Sequence, residues 1–141
     1  MKANASVRID IPFHDVDAMR IVWHGNYARY FEIARTVLLR RYQLDYPEME
    51  ASGWLFPVIR MDCRYLSPLR YGDVALVEVT VEEAEFKMVL SYRIVEETSG
   101  KKIATGHTEH AVLDPDFNLL MPIPLALRER FLEGGAPSAP P

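Results

Sequence analysis

Two carboxylates, an imidazole and a side-chain amide fall close together in the stretch FHDVDAMRIVWHGNYARYFEIAR, residues 13–35: Asp15, Asp17, His24 and Asn26. Their order suggests chemistry. The acids come first, the apolar run Ile21-Val22-Trp23 follows, and His24-Gly25-Asn26 stands where a helical period begins. A helix start presents unpaired backbone N–H groups and the positive end of the peptide dipoles, which suits a developing oxyanion. A carboxylate beside it can attack a carbonyl or take a proton from water. Those two parts suffice for acyl-transfer hydrolysis without a Ser-His-Asp set. Spacing alone leaves a plainer reading open, in which Asp15 and Asp17 are turn acids and the helix is only core.

The elements that must hold these groups are legible from periodicity. Tyr27, Tyr30, Phe31, Ala34, Val37, Leu38 and Arg41 recur at helical spacing and predict an amphipathic helix ending near Gln43, with Asn26 as its N-cap. Before it, residues 6–13 alternate Val7, Ile9, Ile11 and Phe13 against polar neighbours, a half-buried strand that Pro12 places at an edge or an end. Leu44 to Gly53 reads as a connection with a short turn of helix. From Phe56 the period becomes two. Ile59, Met61, Cys63 and Tyr65 share one face, opposed by Arg60, Asp62 and Arg64. Two further strands follow, with Ala75, Val77, Val79 and Val81 on one face and then Phe86, Met88, Leu90, Tyr92 and Ile94. A fifth runs from Lys102 to Leu113, and a short helix from about Leu125 to Leu132 ends the fold. One strand, one long helix and four antiparallel strands make an α+β roll in a single domain, residues 1–133, with the sheet curved around the helix. The tail, 134–141, is too rich in Pro, Gly and Ala to bury anything and is expected to be disordered.

Composition narrows the function classes. Sixteen Lys+Arg against twenty Asp+Glu give −4 over 141 residues, which points to neither nucleic acid nor an anionic membrane as partner. No apolar run reaches membrane-spanning length and the first residues lack a signal-peptide core, so a cytoplasmic location is expected. Cys63 is alone, which excludes a disulfide framework and a cysteine-based metal site. His107, Glu109 and His110 suggest metal ligands, but residues three apart on a strand point to opposite faces, so no metal is expected.

The same stretch resembles the signature of the 4-hydroxybenzoyl-CoA thioesterase-like family of the hotdog superfamily, in its bacterial acyl-CoA thioesterase branch. That signature runs Asp-x-Asp, an apolar pair, an aromatic, a His or Tyr, a two-residue step to Tyr, then Glu-x-Ala-Arg. Here these are Asp15, Asp17, Ile21, Val22, Trp23, His24, Asn26, Tyr27, Glu32, Ala34 and Arg35. Tyr65 with Pro68 before Gly72-Asp73, then Gly106 and Asp114, are later stations, and the resemblance covers residues 6–132. It implies a hotdog fold, a five-stranded antiparallel sheet around one long central helix, dimerising edge to edge and commonly pairing into homotetramers. It implies no cofactor.

The activity so implied is hydrolysis of an acyl-CoA or acyl-carrier-protein thioester. Asp17 falls on the catalytic carboxylate, and the amide of His24 on the group that polarises the thioester carbonyl. Trp23, Gly25 and Asn26 complete the expected oxyanion loop, with the His24 side chain as a second catalytic candidate and Tyr27 as a substrate-binding wall. Two departures stand out. Many members have Gly where this chain has Arg20, and some have Tyr where it has Phe13. A hydroxyacyl dehydratase of the same fold and a non-catalytic acyl-binding protein are the alternatives.

Overall fold

In a computed structural model, period-two patterning produces five strands: β1 (Asn4–Asp10), β2 (Val58–Tyr65), β3 (Val74–Ala84), β4 (Met88–Glu96) and β5 (Lys102–His110). They form one antiparallel sheet in the order β1-β3-β4-β5-β2. The structure describes residues 2–132, and the expected disordered tail lies outside the described residues. Helix α1 (Tyr27–Arg41) buries Tyr27, Tyr30, Phe31, Ala34 and Leu38, the stripe its spacing predicts. It lies across β1 and β3, and Phe31 stacks on Tyr92 of β4 with ring centroids 4.4 Å apart. Gly106 on β5 permits this approach, because a Cβ there would sit 2.5 Å from the Asp62 carbonyl oxygen and 2.6 Å from the Phe31 ring. The hotdog fold implied by the resemblance is therefore present.

Helix α2 (Tyr46–Ser52) fills the connection after α1. Asp45 caps it by accepting from the Tyr46 N–H at 2.8 Å, and Gly53 stops it in the left-handed region at φ 76°. Helix α3 (Leu125–Leu132) stands where its pattern places it and packs Phe131 against Tyr42.

Several boundaries differ from the alternation. β1 starts at Asn4 and ends at Asp10, and Pro12 then leads into a 3-10 turn, Phe13–Asp15, that swings Phe13 out to 71% exposure. Phe86 falls in the β3–β4 turn and is exposed, and β5 ends at His110. The largest difference is β2. Its apolar residues do not reach the core: Ile59 and Met61 are 58% and 45% exposed. β2 is an edge strand, paired among the described residues with β5 alone, with a register shift between Val58 and Arg60.

One polar chain crosses the core. Arg35 donates to the Tyr92 hydroxyl at 3.1 Å, that hydroxyl lies 2.7 Å from Thr108 Oγ1, and Thr108 Oγ1 lies 2.9 Å from His110 Nε2. His110 is fully buried, stacks on Phe56 and has its Nδ1 3.4 Å from the Phe56 carbonyl. Burial, then the charge of Arg35, pushes this imidazole down to about 4. A depressed histidine contributes stability that is complete above its unfolded pKa and is lost as pH falls through the folded one. Between about pH 6.5 and pH 4 the fold therefore loses about 3 kcal/mol from this group. Urea denaturation across that range measures the slope, and His110→Gln removes that part of it.

Candidate active site

The loop that carries the acids is pinned at both ends. Val16 and Val22 form an isolated antiparallel bridge, with the Asp17 N–H donating to the Ile21 carbonyl at 2.9 Å and the Trp23 N–H to the Asp15 carbonyl at 3.0 Å. The Val22 N–H reaches the Leu69 carbonyl at 2.8 Å and ties this small hairpin to the chain after β2. Its turn requires a left-handed residue, and Arg20 occupies that place at φ 66°. This explains why glycine suits the position, since a side chain there costs about 1–2 kcal/mol. Met19 lines the adjoining pocket and Arg20 does not. Arg20→Gly is expected to raise unfolding stability by about 1 kcal/mol with kcat within twofold of wild type, read by urea denaturation beside a rate assay.

Asp15 is the anchor. It is 2% exposed, and its Oδ2 accepts from the Tyr30 hydroxyl at 2.6 Å and from Arg29 Nη2 at 2.6 Å. Burial opposes its ionisation, yet the hydrogen bonds of Arg29 and Tyr30 and the charges of Arg29 and His14 hold its carboxyl below the usual range. Its partners are thus helix side chains, a constraint that turn propensity did not reveal.

The expected N-cap role of Asn26 is not observed. Asn26 makes no side-chain cap bond; its Nδ2 donates to the Asp15 carbonyl at 2.8 Å and ties the loop to the helix start. A 3-10 turn, His24–Asn26, precedes α1 and takes the place of a capped first turn.

Asp17 is half-buried. Its Oδ1 accepts from the Met19 N–H at 2.8 Å, and its Oδ2 has no hydrogen-bond partner among the described residues. The Trp23 amide is taken by Asp15 and the Asn26 amide by the Trp23 carbonyl, so neither is available as an oxyanion donor. The N–H groups of His24 and Gly25 have no acceptor among the described residues. The Trp23 indole is half-exposed and lies over Gly25, where a Cβ would fall 2.2 Å from a ring carbon.

A cavity of about 340 Å³ brings together Asp17, Met19, Ile21, His24, Tyr27 and Tyr65. Tyr27 is buried, and burial with the neighbouring Cys63 pushes its hydroxyl up to about 12, so it is protonated at neutral pH. Trp23, Gly25 and Asn26 do not line the cavity. Tyr65 does, from the end of β2, although the alternation of its strand gave no sign of a site role. A larger cleft of about 510 Å³ between the end of β3 and α3 lies among Lys2, Glu82, Glu85 and Arg128, away from this loop.

Residues 11–131 match the thioesterase-like superfamily. The chain belongs to that superfamily. Membership places it among thioester hydrolases. It is 32% identical over 109 residues to YneP of Bacillus subtilis, provisionally named an acyl-CoA thioesterase, covering 77% of this chain and 78% of that protein. It is 27% identical over 88 residues to the acyl-CoA thioester hydrolase YbgC of Escherichia coli, covering 62% of this chain and 66% of that one. The crystal structure of the DHNA-CoA thioesterase from Staphylococcus aureus superposes with a TM-score of 0.79 at 28% identity, over 92% of this chain and 89% of that one. The thioesterase-like match spans the acid loop, α1 and every residue lining the 340 Å³ cavity.

Proposed function

We propose that this chain hydrolyses acyl-CoA thioesters to a free acid and CoA thiol, with Asp17 as the catalytic carboxylate and the His24 amide as oxyanion donor. The observation that carries the reading is the pocket. An unshared carboxylate oxygen of Asp17 and the unpaired start of a helix border the same small cavity. Asp17 either attacks the thioester carbon, expelling thiolate and leaving a mixed anhydride that water cleaves, or takes a proton from the attacking water. In both routes the carbonyl oxygen gains charge, and one amide donor there is worth about 3 kcal/mol of barrier. A thiolate leaves with little acid assistance, which fits a site without a dedicated acid. The exposed His24 ring and the buried Tyr27 both line the cavity, which supports a role for the first in holding a water or the thioester oxygen and for the second as a wall for the acyl group.

The exposed Ile59 and Met61 on the β2 edge support association of two copies along that edge, and such dimers pair into tetramers in this reading. Among the described residues no helix is long and apolar enough to cross a membrane. The unpaired Cys63 fits a cytoplasmic enzyme, and the acidic balance of −4 favours CoA over an acidic carrier protein as donor. A free-thiol assay over short, medium, long and aromatic acyl-CoAs tests the class of reaction. Thiol release supports it. Addition or removal of water along the acyl chain without thiol release would make the protein a dehydratase, and affinity without turnover would make it a binding protein.

A further inference from the structure

We propose that Arg20 and Arg70 form a phosphate-binding subsite at the rim of the 340 Å³ cavity, where they hold the nucleotide end of CoA. This rests on the hydrolase reading given above and assigns the residues that hold the far end of its substrate. Arg20 stands between Met19 and Ile21, which both line the cavity, in the hairpin that carries Asp17. Arg70 follows Leu69 and Pro68, and Pro68 is another lining residue. The Val22 N–H donates to the Leu69 carbonyl at 2.8 Å, so one hydrogen bond joins the two short segments that carry these arginines. Both side chains are exposed.

Two observations set these cations apart. The first is the lack of a counter-charge. In a chain of net charge −4, Arg8, Arg40, Arg60 and Arg93 each find a carboxylate at 2.7–3.7 Å. Arg20 and Arg70 make no ion pair and no side-chain hydrogen bond among the described residues, although an acid stands three positions from each. Those acids turn to the backbone instead: Asp17 Oδ1 accepts from the Met19 N–H and Asp73 Oδ2 from the Arg70 N–H, both at 2.8 Å. The second is strain. Arg20 holds φ 66°, a conformation that glycine adopts freely and that is costly for a residue with a Cβ. A strained position filled by a long cation without a partner in the described chain points to a ligand.

The chemistry of CoA fits this placement. Its thioester and its phosphates are separated by the whole pantetheine arm, so phosphate contacts belong outside the reacting cavity, within a side chain's reach of its rim. The Asp17 carboxylate lining the cavity repels phosphate and favours the same arrangement. A guanidinium suits phosphate because it offers parallel N–H donors to two oxygens. An arginine free of ion pairs enters that contact without breaking one.

The test is Arg20→Gln, Arg20→Gly and Arg70→Gln in the full chain. Each is assayed by thiol release on the best acyl-CoA of the panel, on its 3′-dephospho form, and on the same acyl group carried by pantetheine, which has no phosphate. Binding of free CoA is measured by calorimetry in parallel, since it needs no turnover. Each variant is expected to raise KM for acyl-CoA and weaken CoA binding about fivefold, with kcat within about twofold. KM for the acyl-pantetheine stays at the wild-type value. A loss that vanishes with the dephospho substrate assigns the contact to the 3′-phosphate, and one that persists assigns it to the pyrophosphate. Arg20→Gln keeps a side chain at the left-handed position and Arg20→Gly does not, so a change in the glycine variant alone would show loop geometry and overturn the subsite. Unchanged CoA affinity in the variants overturns it, as does an equal loss on acyl-pantetheine or a wild-type chain that binds no CoA. A wild-type chain that binds CoA but releases no thiol removes the hydrolase reading instead, and the change in CoA affinity still decides the subsite.

Discussion

Asp15→Ala is expected to destabilise the fold by about 3 kcal/mol. Its carboxylate is buried and shared by the Tyr30 hydroxyl and the Arg29 guanidinium, both at 2.6 Å. Truncation leaves the Tyr30 hydroxyl buried without an acceptor, which alone costs about 1–3 kcal/mol. Arg29 is half-exposed and recovers water, which keeps the loss at the lower end for a broken buried pair. Asp15→Asn retains an acceptor for Tyr30 and is expected to lose about 1 kcal/mol, so urea denaturation of the two variants separates the charge from the contact. The pH dependence has a definite sign. Because the folded carboxyl lies below its ordinary value, its contribution is complete above the unfolded pKa, near 3.8, and disappears as pH falls below that. Asp15→Ala removes this acid-side slope and leaves the one set by His110.

The two acids of the loop look alike in sequence and differ completely in place. Asp15 and Asp17 stand two apart, and spacing gives both as loop carboxylates. Asp15 ends the 3-10 turn Phe13–Asp15 and bonds Tyr30 and Arg29 of α1, whereas Asp17 stands in the hairpin closed by the Val16–Val22 bridge and lines the cavity. A bridge of one residue pair leaves no periodicity to read. The core was more legible, because burial against α1 imposes strict spacing. Val77, Val79, Leu90 and Ile94 are buried on the faces their alternation assigns. β2 misled for the opposite reason. Its apolar alternation is present, but β2 lies at the edge of the sheet, and Ile59 and Met61 remain exposed. That the Trp23 and Asn26 amides are consumed while those of His24 and Gly25 have no acceptor among the described residues depended on the loop's own hydrogen bonds. Hydrogen bonds between residues eight apart, as from Trp23 to Asp15, have no sequence signal. Tyr65 was legible as a later station of the resemblance but not as a residue lining the cavity, because its partner, a backbone carbonyl, is invisible to residue type.

Asp17 is the central residue of the proposed reaction. Asp17→Asn keeps the size of the side chain and an oxygen to accept from the Met19 N–H, so the loop is expected to keep its shape. It removes the charge that is proposed to serve as nucleophile or base. A drop in kcat of about a thousandfold is expected, about 4 kcal/mol of transition-state stabilisation, with KM little changed because the pocket walls are intact. The decisive measurement is the single-turnover rate of thiol release from one acyl-CoA by Asp17→Asn and by wild type, at equal folded fraction. A loss of that size, with substrate binding retained, is the predicted result. A variant that keeps most of the wild-type rate would contradict it and move the chemistry to another group in the same cavity.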